Sequence, residues 1–340
     1  MLIDPKIKLL QIRKIKHNYS LIIKINGPLL SKGGYLTKIK TNSVNKQIKK
    51  ATQIFNWKSP PRARIAVSFR FFSDQNNPPE IYNLIKYYLD LLQGPVYKED
   101  RQIYYMDASI WRSTSRDQDD QSCQYIYVRR LRDYLQMLKF CGETDRFLYR
   151  DENIKVFQYM NLVKETLWDG AEKQLDFLCG SRITLYDMPL LKNPFLIEMA
   201  KDFNEFYPLV FDFGSLPNRG QSNEFKKLIV SLLSDFITKY PLFKKILVPI
   251  EFDVQVTKKG LKLTKDLDNI MITICKEFRK QVLSPNIYVN GYRVYVVDKL
   301  ESNIESGIQV KLLPPGEIES YNESIRSTLE TLEEDLEDKI

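Results

Sequence analysis

The chain has 340 residues, and its 43% hydrophobic and 12% aromatic content is enough for one large core or two of ordinary size. It has no apolar run long enough for a transmembrane helix, and its basic N-terminus lacks the uninterrupted apolar segment of a secretory signal. The four cysteines form no C-x-x-C pair, and the single histidine, His17, cannot complete a zinc site with them. We therefore expect a cytoplasmic protein with reduced thiols and no membrane partner.

Basic and acidic residues are segregated along the chain, although the net charge is only +8. Residues 1–72 contain one acid, Asp4, whereas residues 317–340 are strongly acidic. A long block of one sign is typical of a protein that binds a polyanion, and the alternative is a solvated lysine-rich surface. We favour a nucleic acid as the partner. The side chains predicted to contact it are Lys32, Lys38, Lys40, Arg62, Arg64 and Arg70.

Strands and helices alternate in the first third of the chain. Apolar residues at helical spacing indicate helices, and apolar residues at every second position indicate strands. Arg64–Phe72 alternates apolar side chains with arginine and serine, which predicts a half-buried strand with a basic outer face. The predicted elements are a strand at Leu21–Ile25, a helix at Asn45–Trp57, a strand at Arg64–Phe72, a helix at Asn83–Leu92 and a strand at Ile103–Trp111.

The middle of the chain lacks this alternation. It opens with a polar, acidic loop and continues with helical periodicity, so we interpret residues 113–206 as a helical insert or linker. The segments with helical periodicity are Tyr125–Phe140, Glu152–Trp168, Ala171–Leu178 and Pro194–Phe206.

The alternation returns in the last third of the chain. Its order of strand, Gly/Pro-containing loop, helix, strand, acidic turn, helix and strand is the order seen in the first third, which indicates an internal repeat and a pseudo-dimer. The predicted elements are strands at Pro208–Phe213, Leu247–Thr257, Asn286–Asp298 and Gly307–Leu313, with helices at Glu224–Tyr240 and Ile270–Leu283.

The predicted architecture is therefore α/β (α+β), with two modules that each form a small mixed sheet with flanking helices. The first module spans residues 17–112 and the second spans residues 207–316. Residues 317–340 form an acidic helix with one narrow apolar stripe. That helix packs on its own protein, makes a homodimer, or docks on the basic half of the chain.

The most informative stretch is Asp266-Leu267-Asp268-Asn269. It lies between the predicted strand Leu247–Thr257 and the predicted helix Ile270–Leu283 of the second module. If Leu267 turns into the core, both carboxylates face one small cavity. With a third carboxylate they can hold Mg²⁺, which polarises a phosphodiester and supplies the attacking water. The alternative is that Asp268 or Asn269 only caps the helix.

This stretch, with the strand before it and the helix after it, resembles the signature of the RusA family of Holliday-junction resolvases. That signature is Asp-x-Asp-Asn opening a helix, a lysine four residues after the second Asp, and Asp-Asp-x-Gln after the helix. The resemblance covers both modules but neither the insert nor the tail. It implies a small α/β fold, a homodimer, a basic surface and Mg²⁺-dependent cleavage of four-way DNA junctions. The partner it implies is therefore DNA, branched or duplex.

The signature is divided between the modules. The second module keeps Asp266, Asp268 and Asn269 but has Ile272 at the lysine position and no carboxylate in Val289–Arg293. In the first module the acid pair is replaced, while Asn83, the lysine and the third acid are kept. The first-module residues at the four signature positions are Glu80, Tyr82, Lys86 and Asp100.

The resemblance implies site residues in both modules, with Asp266 and Asp268 holding Mg²⁺ in the second and Lys86 and Asp100 marking what remains of the site in the first. The catalytic residues would be Asp266, Asp268, Asp100 and Lys86. The Mg²⁺ ligands would be Asp266, Asp268, Asp100 and Glu80.

Three hypotheses follow from a signature that neither module completes. The first is a nuclease of DNA recombination and repair in which Asp266 and Asp268 act with an acid from elsewhere. The candidates for that acid are Asp100, the Asp117–Asp120 loop and Asp298. The second is a catalytically inactive RusA-like scaffold that binds DNA or a protein partner. The third is a structural protein whose fold and tail serve assembly.

Overall fold

The fold is built from nine strands and four helices within the part of the chain that the structure, a computed structural model, describes. Two short 3-10 turns, Asp100–Gln102 and Pro241–Lys244, complete it. The described residues are 7–11, 20–31, 35–54, 57, 63–73, 78–112, 122–132, 134, 210–214, 221–239, 241–258, 265–298, 307–313, 315–316 and 318.

The elements alternate in two rounds along the chain. The first round ends with β5 and the second begins with β6. In chain order they are β1 (Ile7–Gln11), β2 (Ser20–Asn26), α1 (Tyr35–Ile54), β3 (Ile65–Ser73), α2 (Ile81–Leu92), β4 (Ile103–Arg112), β5 (Cys123–Arg130), β6 (Val210–Asp212), α3 (Ser222–Lys239), β7 (Ile250–Lys258), α4 (Leu267–Gln281), β8 (Val289–Asp298) and β9 (Gly307–Leu313).

All nine strands belong to one sheet with the order β1-β2-β5-β3-β4-β8-β7-β9-β6. β3 with β4, and β7 with β8, are parallel, whereas the other pairs are antiparallel. The predicted mixed α/β class is therefore confirmed. The expectation of a separate small sheet in each module is wrong, because β4 and β8 pair edge to edge and join the halves into one sheet.

The two halves of the sheet have the same topology. Strands β2, β5, β3 and β4 are arranged as β6, β9, β7 and β8 are, with α1 and α2 in the places of α3 and α4. The parallel pair in each half even has a register shift at the same point, between Ile65 and Ala66 in β3 and between Ile250 and Glu251 in β7. The first residues of β4 and β8, Ile103 and Val289, therefore correspond.

One face of the sheet forms the core with the helices. Every second residue of β3 and β7 is fully buried there, such as Phe69 and Phe252. On α4, the Phe278 ring packs edge-to-face against Phe252 at 4.9 Å and Phe211 at 5.4 Å between ring centroids. Burial of rings of this size supplies much of the apolar stabilisation that fixes α4 on the sheet.

The junction between the halves requires a close backbone approach. A Cβ atom on Gly291 of β8 would stand 2.8 Å from the carbonyl oxygen of Ala108 on β4 and 3.2 Å from Oε1 of Glu251. Glycine is the residue without that atom, so it allows β4 and β8 to pair directly.

The predicted helix at Tyr125–Phe140 is wrong over residues 125–130, which lie in strand β5. This strand pairs with β2 on one side and β3 on the other. Its burial alternates, with Ile126 and Val128 in the core. Apolar residues at short spacing fit both periods, and the two-sided pairing selects the strand.

Several predictions concern residues outside the described part of the chain. The three other helices predicted for the insert, the acidic loop at 117–120 and residues 319–340 of the acidic tail lie there. Dimerisation or self-docking through that tail therefore stays a prediction. Among the described residues, no helix combines the length and apolar character needed to cross a bilayer.

Candidate functional site

Helix α4 begins at the acidic turn, and its first residues do not act as side-chain caps. Asp266 is the N-cap residue with extended backbone, and its carboxylate makes no capping hydrogen bond. Leu267 is buried as expected. The Asp268 carboxylate accepts a hydrogen bond from Lys86, and Nδ2 of Asn269 donates to Oδ2 of Asp266 at 3.4 Å. The carboxylates are thus engaged with side chains rather than with helix amides.

Lys86 of α2 joins the two halves of the divided signature. Its Nζ atom lies 2.7 Å from Oδ2 of Asp268 and 3.6 Å from Oδ2 of Asp100. It also lies 3.4 Å from Oδ1 of Asp90, one turn further along α2. Asp266 completes the group, with its Oδ1 atom 3.4 Å from Nε of Arg101. We call Lys86, Asp100, Asp266 and Asp268 the composite site.

Asp100 reaches this site because the 3-10 turn before β4 is held in place. The side chain of Gln102 accepts hydrogen bonds from the backbone amides of Lys98 and Glu99, at 2.8 and 3.1 Å. Its Nε2 atom donates to the carbonyl oxygen of Ala63, at 3.1 Å. Asp100, at the start of the turn, is therefore fixed beside α2 at the end of the parallel strand pair.

The electrostatics of the composite site are those of crowded carboxylates. The side chains of Asp268, Asp100 and Asp266 are 2%, 11% and 25% exposed. Burial, and then the charge of Asp268, raise the pKa of Asp100 above its ordinary value. The pKa of Asp266 is raised for the same two reasons. The charge of Asp268 thus makes Asp100 and Asp266 more costly to ionise.

Lys86 is the cation that balances this charge. Burial on its own lowers the pKa of Lys86, but the hydrogen bond to Asp268 and the charges of the neighbouring carboxylates outweigh it and raise the pKa. The ammonium group therefore stays protonated at neutral pH and below.

The raised pKa of Asp100 predicts that Asp100→Asn stabilises the protein at pH 7. An acid with a raised folded-state pKa binds its proton more tightly in the folded protein, so its ionisation destabilises the fold as the pH rises through that pKa. The gain should shrink as the pH falls toward about 4, near the ordinary carboxyl pKa. Urea unfolding at the two pH values measures it.

The matched control for Asp100→Asn is Asp90→Asn. Asp90 contacts the same lysine, but its side chain is 33% exposed. Loss of such a pair costs at most about 1 kcal/mol, so Asp90→Asn should be neutral or slightly destabilising. The prediction would be contradicted if Asp100→Asn lowered the free energy of unfolding by the same amount at pH 7 and at pH 4.

Three carboxylate oxygens of the composite site are buried without a hydrogen bond, Oδ1 of Asp100, Asp266 and Asp268. Within the described residues, no three His, Cys, Asp or Glu side chains have the arrangement of a metal-binding group. Mg²⁺, however, commonly keeps several waters and takes only one or two carboxylates from the protein. The donor chemistry of Asp266 and Asp268 therefore fits Mg²⁺.

The other end of the α2–α4 pair holds the counterparts of these residues. Glu80 is the N-cap residue of α2, as Asp266 is of α4, and Tyr82 corresponds to Asp268. Oε1 of Glu80 accepts a hydrogen bond from Nε of Arg279, at 3.1 Å. Arg279 lies about three turns along α4 from Asp268, so Glu80 does not join the composite site. The prediction that Glu80 shares a metal with the three aspartates is wrong.

The predicted DNA contacts have different positions. Arg64 is exposed, with its guanidinium 4.4 Å from the centre of the Tyr104 ring. Arg70 is buried and paired with Asp107 at 2.8 Å, so its prediction as a DNA contact is wrong. The alternation along the strand predicted that Arg70 points away from the core. It could not show that the Asp107 carboxylate covers the guanidinium. Lys32 and Arg62, and the side chains of Lys38 and Lys40 on α1, lie outside the described part.

Sequence reasoning missed two arginines next to the signature positions. Arg101 pairs with Asp266, and Arg279 pairs with Glu80. Arg101 lies next to the predicted site residue Asp100 in the sequence, and that position could have identified it as a candidate site residue. Arg279 carries no such signal, because its contact with Glu80 depends on how α2 and α4 pack.

Comparisons with known proteins do not assign the chain to a family. No protein-family model matches it, and none of the curated proteins matches it. Among solved structures, a chain of a HypE–HypF complex aligns with 92% of this chain and 81% of its own length, at 12% sequence identity and a TM-score of 0.19. A likeness at that score carries no argument about fold or function.

Proposed function

We propose that this protein binds branched DNA and cleaves it as a Mg²⁺-dependent, RusA-like endodeoxyribonuclease of the cytoplasm, with the composite site as its centre. One observation carries the proposal. Lys86 and Asp100 from the first module lie against Asp268 and Asp266 from the second. The four side chains of the divided signature thus meet in one place.

The residues of the composite site have distinct roles in this proposal. Asp266 and Asp268 would hold Mg²⁺, with Asp100 adding negative charge beside them. Bound Mg²⁺ would polarise a phosphodiester and lower the pKa of an attacking water. Lys86, protonated and 2.7 Å from Asp268, would stabilise negative charge that develops on the phosphate.

The proposal predicts that Asp266→Asn with Asp268→Asn abolishes cleavage of a four-way DNA junction and retains binding. Loss of an outer-shell group commonly costs 10- to 100-fold in activity, so loss of both ligands should cost more than about 100-fold. Gel analysis of end-labelled junctions with Mg²⁺ or with EDTA measures cleavage, and fluorescence anisotropy measures binding.

The matched control changes two acids of equal charge elsewhere, Glu224→Gln with Asp235→Asn on the exposed face of α3. It should cleave as the unmodified protein does. Binding of both variants should weaken steeply with salt, since phosphate contacts release counterions. Unchanged cleavage in the Asp266/Asp268 variant would overturn the assigned site.

The second candidate function is a catalytically inactive RusA-like scaffold that binds DNA or a protein partner in an assembly. The observation that favours it is that Lys86 and Arg101 already pair with the acids of the composite site. The two candidates differ in their response to Mg²⁺. A nuclease site predicts that Mg²⁺ raises the melting temperature of the unmodified protein but not of the Asp266/Asp268 variant. A scaffold predicts no effect of Mg²⁺ on either.

A further inference from the structure

The repeated topology places two equivalent site positions in one chain, and only one of them gathers several carboxylates. We infer that each chain makes a single incision, a nick, when it engages a junction, and that a second incision requires a second chain. This inference rests on the proposed function. It concerns the number of catalytic centres and the product that follows from it.

The equivalence of the two positions comes from strand register. The shared register shift makes Ile103 and Val289 the first residues of equivalent strands. Counting back from each of them pairs Asp100 with Asn286. The equivalent helix starts, Ile81 and Leu267, pair the residues before and after them in the same way. The second position therefore consists of Glu80, Tyr82, Ile272 and Asn286.

This second position has lost the features that the composite site keeps. Ile272 replaces the cation Lys86 with an apolar side chain. Asn286 replaces the acid Asp100 with a neutral amide. The Tyr82 side chain is buried, and burial together with the charge of Glu80 raises its pKa to about 12. Its hydroxyl is therefore neutral at physiological pH and supplies no anionic ligand in the place of Asp268.

Arg279 supplies a fixed positive charge in the second position. Its guanidinium donates to Oε1 of Glu80, to the carbonyl oxygen of Ser284 at 2.7 Å, and to the carbonyl oxygen of Pro285. Three acceptors from three residues hold it in place. Oε2 of Glu80 is buried without a hydrogen bond. One carboxylate paired with one held guanidinium nevertheless leaves no net negative charge to attract a divalent cation.

The composite site differs in the number and freedom of its charges. It brings three carboxylates together with two cations, Lys86 and Arg101, and Oδ1 of Asp268 is buried without a hydrogen bond. The second position brings one carboxylate to an arginine. The composite site therefore has more carboxylates than cations, whereas the second position has one of each.

The product follows from the count of centres. Hydrolysis at one centre adds one water across one phosphodiester, breaks one P–O bond, and leaves one phosphate monoester and one hydroxyl end. A junction engaged by a single chain is therefore left with one interrupted strand.

The test uses the full chain and a supercoiled plasmid with an extruded cruciform, with the protein limiting over plasmid. Two incisions in one binding event give a linear plasmid directly, and one incision gives a nicked circle. We expect the nicked circle to accumulate first, and the linear form to follow only as the protein concentration rises. Linear plasmid as the first product would overturn the inference and leave the proposed function standing. Absence of Mg²⁺-dependent cleavage would overturn both.

Two variants separate the positions. Asp268→Asn should abolish nicking. Glu80→Gln keeps a hydrogen-bond acceptor for Arg279 and should leave the nicking rate unchanged. A loss of nicking in Glu80→Gln equal to that in Asp268→Asn, in protein that retains its melting temperature, would show that the second position is part of the chemistry and would overturn the inference.

Discussion

Lys86→Met should destabilise the protein by about 3 kcal/mol, the lower end of the range for removing one partner of a buried ion pair. The Asp268 side chain is 2% exposed, and Lys86 Nζ lies 2.7 Å from it. The variant keeps the length and apolar stem of the side chain but leaves Asp268 near Asp100 and Asp266 without the lysine's charge. Lys86 is itself 25% exposed, which is why the lower end applies. Urea unfolding at pH 7 measures the loss.

A double-mutant cycle identifies the cause of that loss. If the cost arises from an uncompensated carboxylate, Asp268→Asn should recover much of the stability of Lys86→Met, and the coupling should exceed about 1 kcal/mol. Lys276→Met on α4 is the control, because Lys276 is exposed at the other end of the helix pair. If the changes in unfolding free energy of Lys86→Met and Asp268→Asn are additive, the contact between the two residues does not contribute to stability.

Sequence patterns predict only part of the contact between Lys86 and Asp268. Apolar periodicity and the acidic turn predicted helix α4 and the buried position of Leu267, although the predicted start at Ile270 lies three residues after the observed one. They could not select the partner of Asp266 and Asp268 from several candidate acids. Asp100 is the partner because β4 pairs with β8, which sets α2 beside α4. Long-range pairing of this kind has no local signal.

The same limit explains the errors over β5 and Arg70. Local spacing of the residues after 122 fits a helix as well as a strand, and the contacts that decide come from β2 and β3. The alternation in β3 correctly predicted a strand with Arg70 on the face opposite the core. It could not reveal that Asp107 covers the charge, since the two residues meet only through parallel pairing of β3 with β4.

The divided signature also shows what the repeat contributes. Two halves with one topology place two helix starts and two sets of signature positions in a single chain. The first half has lost its acid pair and the second half has lost its lysine. The chain still has one complete set, because Asp266 and Asp268 of the second half lie beside Lys86 and Asp100 of the first, across the α2–α4 contact. The register of β4 against β8 is what maintains that sharing.

Asp107→Leu should therefore cost about 3–5 kcal/mol and loosen the junction on which the composite site depends. Asp107 is fully buried on β4, where Ser68 donates to Oδ1 and Arg70 lies 2.8 Å from Oδ2. Leucine fills the space but removes the carboxylate that both side chains bind. Arg70 is 7% exposed and keeps its charge, so most of the cost is that of a buried guanidinium without this partner. Urea unfolding measures the cost.

The compensating change distinguishes a charge effect from a packing effect. Arg70→Met together with Asp107→Leu removes both charges and should recover several kcal/mol, since apolar replacement of a whole buried ion pair is often neutral or stabilising. Asp253→Leu gives the corresponding test in the other half, where Arg293 of β8 donates to both oxygens of Asp253. Arg293 lies opposite Asp107 across the junction. If the double variant is as unstable as Asp107→Leu alone, the cost arises from packing at the junction and not from the buried charge.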